Sequence, residues 1–562
     1  MGVRVLLLVV VAVGVVAQER TSTPIQVQGN LNVTAEAYTS SGDGAEPRFL
    51  PRYGMRVFFR PVVRLFGQME LPFELSLGAN TGTRASYPLA FQQPFNQLGA
   101  SPQITSWLRL HGGYFSLQLS ELTFGDLRVL GGGMELSPGV LRLKSFYGIV
   151  QHSRPVDTTV GFPGVYRRRA WGGSVGIATE GGTEILLHYV RLLDDTASIR
   201  LLRVLRDSLR TDTVVTPAQD NAIAALSFRA PIAKSVVLQG EVAFSAYSST
   251  LRAPEKDVGI PRWLFVSRYS SNLDGAAVLS ATVAPSPAFS LTLKGRWIGP
   301  GFSSLGYAQL NNDIAEGVVA PSFSFAKNTV SVRLSLGAQW NNLRNTRLGT
   351  TRRLIGSTSV GWQPSPSFGV DVQYANYGMR MQHQNDTLRV QNVSHSISLN
   401  PRWQFSGLGG TNLLMFSYSF SQTSDRNPIT GAATQNRNHT GLVSHTLQFP
   451  STVGLTTMAN YTVTEVGGVW TRLWMAGETV SYSFLPGRLT GSVGLTLSQV
   501  IAELQRTRAT LRDTQLGVRL TLTYSLTRWG TLSWNAFVNR SERAGRRPFT
   551  ELHTSLNYGL SF

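Results

Sequence analysis

From Thr329 to Trp340 the chain alternates with a period of two. Val330, Val332, Leu334, Leu336, Ala338 and Trp340 fall on one side, and Ser331, Arg333, Ser335, Gly337 and Gln339 on the other. Successive side chains of a strand point to opposite faces, so the segment is predicted as a strand with one greasy and one polar face. Residues 25–38 repeat the pattern, with Ile25, Val27, Leu31 and Val33 set against Gln26, Gln28, Asn30 and Asn32. Residues 69–79, 393–405, 515–526 and 531–538 do the same. The pattern runs along the whole mature chain and predicts an all-β protein.

A soluble sandwich would bury the apolar face in a core, but two features point to lipid. Many strands run ten residues or more, close to the ~9–11 that cross a bilayer at a tilt. Aromatic residues also gather near strand ends: Trp297 and Trp340 close two strands at one side, and Trp362 and Trp403 lie near the other. Rings half in lipid and half in water build membrane-interface girdles of this kind.

Connections give an independent reading. Working back from the C-terminus, short links at 527–530, 486–488, 450–452, 406–410, 364–366, 326–328 and 285–287 alternate with longer polar segments. The longer ones are 541–548, 501–513, 464–472, 423–440, 378–392, 341–353 and 299–316. Short periplasmic turns and long outer loops are the habit of outer-membrane barrels. The expectation is a single transmembrane antiparallel up-and-down β-barrel over residues 18–562. Splitting residues 107–119 into a hairpin at His111-Gly112-Gly113 puts both termini at one end and gives about 26 strands, within a range of roughly 22 to 26. Residues 81–101 then form a long loop, and the span 81–130 is either folded inward as a constriction or an ordinary outer loop. A short repeat, Pro285-Ser286-Pro287-Ala288-Phe289 and Pro364-Ser365-Pro366-Ser367-Phe368, marks repeated hairpin construction, because proline cannot feed a ladder.

Met1 to Arg4 is a short positive region, and Val5 to Val16 an unbroken aliphatic run ending in Ala17. That reads as a cleaved signal peptide over residues 1–17. The chain has no cysteine, which excludes disulfides, thiolate metal sites and a cysteine nucleophile. Its formal charge is +19, and only five of the 51 basic residues are lysine. The arginines are expected in loops: Arg344, Arg347, Arg352 and Arg353; Arg506, Arg508 and Arg512; Arg540, Arg543, Arg546 and Arg547. Arginine forks pair with phosphate, so contact with lipopolysaccharide is open beside plain solvated charge. Nucleic acid is not an expected partner, since no recognition module is visible.

The chain ends Tyr558-Gly559-Leu560-Ser561-Phe562. This resembles the C-terminal signal of outer-membrane barrels, and the resemblance implies that Tyr558, Leu560 and Phe562 are read by the barrel-assembly machinery as the last strand pairs. The run Gly299-Pro300-Gly301-Phe302-Ser303-Ser304-Leu305-Gly306-Tyr307, with Asn311-Asn312-Asp313, resembles loop motifs of outer-membrane proteins of the Bacteroidota type. The segment Gly131 to Gly139 is similar. These likenesses imply a lineage and no activity.

No enzyme signature emerges. No histidine pair has helical zinc spacing, and Ser394-His395 and Ser444-His445 are strand neighbours whose side chains diverge. No cofactor is expected. A barrel of this size has a lumen too wide for side chains to fill, and Glu70, Glu74, Arg333, Asp371 and Arg519 are the expected lumen charges. Two functions stay open: a channel or transport conduit, or a blocked barrel acting as a subunit of a surface, secretion or motility complex.

Overall fold

The computed structural model describes residues 25–42, 52–65, 69–81, 97–125, 127–155, 162–199, 216–383, 390–425, 427, 435–504, 509–545 and 547–562. The signal peptide read over residues 1–17 lies outside them. The chain starts with β1 (Ile25–Ser41), β2 (Tyr53–Leu65) and β3 (Met69–Thr81), then two short pieces, β4 (Gln97–Ala100) and β5 (Gln103–Thr105). Next come β6 (Leu108–Ser116), β7 (Arg128–Leu136), β8 (Leu141–Gln151), β9 (Arg167–Ala178), β10 (Glu184–Asp195), β11 (Asp220–Ala233), β12 (Val236–Ser248), β13 (Ser271–Ser286), β14 (Phe289–Ile298) and β15 (Ile314–Phe325). The remaining wall is β16 (Val330–Asn341), β17 (Gly349–Ser365), β18 (Phe368–His383), β19 (Val390–Gly407), β20 (Gly410–Asp425), β21 (Asn436–Gln448), β22 (Val453–Val466), β23 (Val469–Leu485), β24 (Leu489–Leu504), β25 (Ala509–Ser525), β26 (Thr531–Arg543) and β27 (Phe549–Ser561).

Each strand pairs antiparallel with its sequence neighbour, and β27 returns to β1. Because β4 and β5 both lie between β3 and β6, they occupy one place in the wall. The result is a closed barrel of 26 strands. The even number arises differently from the expected hairpin at His111. Gly112 and Gly113 stay inside β6, pairing with Ala100 and Gly99 on one side and with Gly132 and Gly131 on the other. The extra strand is the broken one, interrupted at Ser101-Pro102, where proline has no N–H to give the ladder.

Register closes the wall firmly. The β1–β27 seam runs from Asn30 opposite Ser561 to Ser41 opposite Thr550. Beyond it, Gly29 and Phe562 exchange both backbone hydrogen bonds, at 2.8 and 3.0 Å. The two proline repeats build matching hairpins: Ser286 pairs with Phe289 and Ser365 with Phe368, each after a register shift that absorbs the first proline. One expected long loop is absent. Residues 464–472 form a hairpin in which Val466 faces Val469. Gly467 and Gly468, with φ of 55° and 82°, supply the left-handed turn that such a link requires.

Several strands reach 17 or 18 residues, a contour of about 56 Å at ~3.3 Å per residue. They therefore carry part of what was expected as loop. Arg352 and Arg353 lie in β17, Arg512 in β25, and Arg540 and Arg543 in β26. The rim is wall, not loop, over those positions.

Candidate functional site

The two faces of the wall differ sharply. Leu187 and Ile185 of β10, Leu226 of β11, Val242 and Phe244 of β12, Leu279 of β13, Leu336 of β16, Leu495 of β24 and Leu520 of β25 are all exposed on one face. The other face carries the alternate residues. Its direction is fixed by the segment 117–125, which follows β6 yet bonds to β12 and β14. A chain can reach strands so far around a closed wall only by crossing its interior. The apolar exposed face is therefore outward.

That inward segment is built on one carboxylate. Glu241 of β12 is buried, and its Oε1 accepts from Ser120 Oγ at 2.7 Å and the Leu122 N–H at 3.2 Å. Its Oε2 accepts from the Glu121 N–H at 3.0 Å. Lys294 of β14 donates to Glu121 at 2.8 Å. Two otherwise orphaned backbone donors thus gain a charged acceptor, the stronger kind of hydrogen bond.

A second inward segment, residues 299–312, locks onto the first. Ser304 Oγ donates to the Thr123 carbonyl at 2.7 Å, and the Tyr307 hydroxyl donates to the Ser120 carbonyl. Asn221 of β11 clamps it from the wall, donating to the Ser303 carbonyl at 3.0 Å and accepting from the Leu305 N–H at 2.9 Å. Asp274 of β13 accepts from the Gly301 N–H at 2.7 Å and pairs with Arg344 at 2.8 Å. At Gly306 a Cβ would sit 2.4 Å from the Thr123 carbonyl oxygen, so the two segments can approach this closely only at glycine.

Between these bonds lies a dry core. Leu117, Leu119, Leu122, Phe124 and Phe302 are buried against Phe146, Val190, Leu192, Ile223, Ala243 and Ile298 of the wall. Phe124 and Phe146 have ring centroids 4.8 Å apart. Of the span 81–130, residues 82–96 lie outside the described residues, and 117–125 is the part seen inside the barrel.

The opposite arc, β16 to β27, has a different inward face. Thr440 meets Thr462 at 3.1 Å, Ser394 meets Thr423 at 3.0 Å, and Ser417 donates to Asn400 at 2.6 Å. Small hydroxyls and amides dominate, and no described segment packs on them.

The five expected lumen charges all lie opposite the greasy face of their strands. Glu70 is held by Arg64 at 2.7 Å, and Glu74 by Arg60 at 3.1 Å and Arg128 at 2.8 Å. Arg333 alternates with exposed Leu336 and has no hydrogen bond or ion pair among the described residues, and neither does Asp371. The Arg519 guanidinium sits 5.5 Å from the Phe537 ring centroid. Trp297, Trp340, Trp362 and Trp403 are all outward and more than two-fifths exposed. The first two lie at the long-loop end of their strands, the second two near short turns. At the seam Leu31 and Leu560 are buried opposite each other, Tyr558 donates to the Trp529 carbonyl at 2.7 Å, and Phe562 stacks on Phe59 at 6.2 Å.

Sequence reasoning missed Glu241, Asn221 and Asp274. Their signal was weak but present. Inward positions 243, 245 and 276 hold Ala, Ser and Ala, too small to line a core unless something fills the space before them. It also missed a hydrogen-bonded chain at the strand break: Ser101 Oγ to His111 Nδ1 at 2.8 Å, and His111 Nε2 to Glu135 at 2.9 Å. The buried imidazole stacks on Phe115 at 4.9 Å, which ties the loose strand pieces to the packed arc.

The fold defines a large closed barrel with two described segments, 117–125 and 299–312, packed inside it against one side. No family model matches the sequence, and no curated protein does. Among solved structures, the chain is similar to the OccK3 (OpdO) protein of Pseudomonas aeruginosa, at 10% identity and a TM-score of 0.31 over 96% of each chain. It is similar to the translocation pore of the P pilus usher PapC, at 10% identity and 0.32 over 96% of this chain and 99% of that one. The OccAB4 protein of Acinetobacter baumannii matches at 11% and 0.30 over 68% and 97%.

Proposed function

We propose that this chain is an integral outer-membrane barrel that passes small hydrophilic solutes along its β16–β27 side. The carrying observation is the contrast in that arc: exposed leucine and valine outward, and a continuous hydroxyl and amide surface inward with no described segment upon it. A circular barrel of this strand number is about 50 Å across between backbones, so side chains alone leave space for water. Inward charges of this arc nearly balance, with Arg333, Arg353, Arg402, Arg519 and Arg543 against Asp371, Asp425, Asp513 and Glu551, so size and not charge is the expected filter. In this reading Tyr558, Leu560 and Phe562 form the seam that the assembly machinery closes. The test is reconstitution in planar bilayers, with stepwise conductance expected. A silent membrane with correctly inserted protein would refute conduction.

The packed arc favours a second reading, a blocked barrel serving as a subunit of a surface, secretion or motility complex. Absent conductance together with one stoichiometric partner in native pull-downs would support it.

A further inference from the structure

The outward face of β16–β18 carries a feature that conduction does not use. Register places Trp340, Arg352, Arg380 and Gln391 side by side in one row across β16 to β19. The next row toward the wall's middle is Ala338, Leu354, Gly378 and Val393. Together they line a groove of about 700 Å³ that contains no acidic residue. Cations thus sit above an apolar trough, beside an aromatic ring.

The charge arrangement is unusual within this protein. Three other outward arginines near the same rim have acidic neighbours, Arg437 with Glu465 at 3.9 Å, Arg472 with Glu503 at 3.3 Å, and Arg540 with Glu542 at 3.4 Å, and Arg512 stands alone on its strand where Arg352 and Arg380 stand side by side. Arg352 and Arg380 are direct cross-strand partners of like charge, and neither has an ion pair or hydrogen bond among the described residues. Like charges directly opposite destabilise a sheet, and no counter-anion to the pair lies among the described residues. Gly378 points the same way. Glycine weakens a strand interior and marks close approach by another group. A Cβ there would meet only the Leu354 carbonyl oxygen, at 3.9 Å, so no protein neighbour requires the glycine.

We infer that this groove binds one phosphorylated lipid, its phosphate between Arg352 and Arg380 and an acyl chain over Gly378 between Leu354 and Val393. Two planar forks match phosphate oxygens, and the apolar row accepts the chain. The inference rests on the membrane reading above.

The test uses the full chain in nanodiscs of neutral phosphatidylcholine doped with a bisphosphorylated diglucosamine lipid, followed by native mass spectrometry. One such lipid is expected to stay bound, with retention falling about tenfold when its phosphates are removed or in the Arg352→Gln/Arg380→Gln variant. Gly378→Phe, which fills the trough and keeps both cations, is expected to lose the lipid as well. Arg437→Gln is expected to retain it. Equal retention by the double variant would overturn the site, as would full displacement by inorganic phosphate alone. Lost binding controls with intact conductance refute the groove only, whereas failure of the chain to enter bilayers refutes the membrane reading itself.

Discussion

The two arcs of the barrel share strand chemistry, register and an outward belt, yet their inner faces obey different rules. From β6 to β15 the inward face mixes small and apolar residues with buried polar and charged ones, and two of the chain's own segments pack upon it. From β16 to β27 hydroxyls and amides are the commoner inward residues, joined across strands by contacts such as Thr440 with Thr462 and Ser417 with Asn400. In the first arc a polar atom is buried and needs a partner, so Glu241, Asn221 and Asp274 each hold backbone groups of the inward segments. In the second, water can satisfy any group, and the wall tolerates Arg333 and Asp371 with no protein partner among the described residues. One sheet thus provides both a rigid plug and a wet wall, through the choice of every second residue.

The largest effect is expected at Glu241. Glu241→Ala leaves the Glu121 and Leu122 N–H groups without their acceptor, while the Ser120 hydroxyl keeps Thr123 as a partner; each orphan costs roughly 1–3 kcal/mol, or about 4 kcal/mol together. The plug should detach locally while the wall persists. Hydrogen exchange over residues 117–125 should accelerate, and single-channel conductance should rise. Unchanged exchange there would mean that the apolar contacts hold the segment without the carboxylate.

Next come the aromatic anchors. Phe302→Ala removes a fully buried ring from the plug, at a cost of about 3–5 kcal/mol. Thr440→Ala, its counterpart in the open arc, loses one hydroxyl contact on a solvated wall and should stay within about 0.5 kcal/mol. Thermal denaturation in detergent measures both. A similar loss at the two positions would erase the distinction between a dry arc and a wet one.

These differences bear on what the sequence could disclose. Alternation reveals face, because each strand needs one side for each environment, and so the strands and their up-and-down order were legible in the pattern, although the link 464–472 is a tight hairpin. Where a strand packs against protein the pattern fades: β10 reads Glu-Ile-Leu-Leu-His-Tyr-Val-Arg-Leu-Leu, with His188 on one face and Arg191 on the other among apolar residues. Of the inward segments, 117–125 falls in the span 81–130 for which an inward fold was one of two readings, whereas 299–312 read as an outer link, and its partners lie some 180 residues away along the chain. Period-two reasoning treats each strand alone and cannot place a loop inside the circle that all of them close. The break at Ser101-Pro102 was likewise hidden, since two pieces of four and three residues are too short to show a period.

The smallest structural effect, and the finest test of the comparison, is charge reversal in the open arc. Arg333→Glu changes an exposed inward side chain without an ion pair among the described residues, so stability should shift by no more than about 0.5 kcal/mol. Ion selectivity should move much more, because a charge lining a narrowed aqueous path acts on every passing ion. The reversal potential under a salt gradient should shift toward cations, and Arg519→Glu should shift it further in the same direction. Lys294→Glu makes the contrasting substitution in the packed arc. It breaks the 2.8 Å pair with Glu121 and sets two carboxylates together at the plug, so there stability should fall. If Arg333→Glu destabilised the barrel as much as Lys294→Glu and left the reversal potential unmoved, the inner face of β16 would be packed rather than wet, and the passage would have to lie elsewhere.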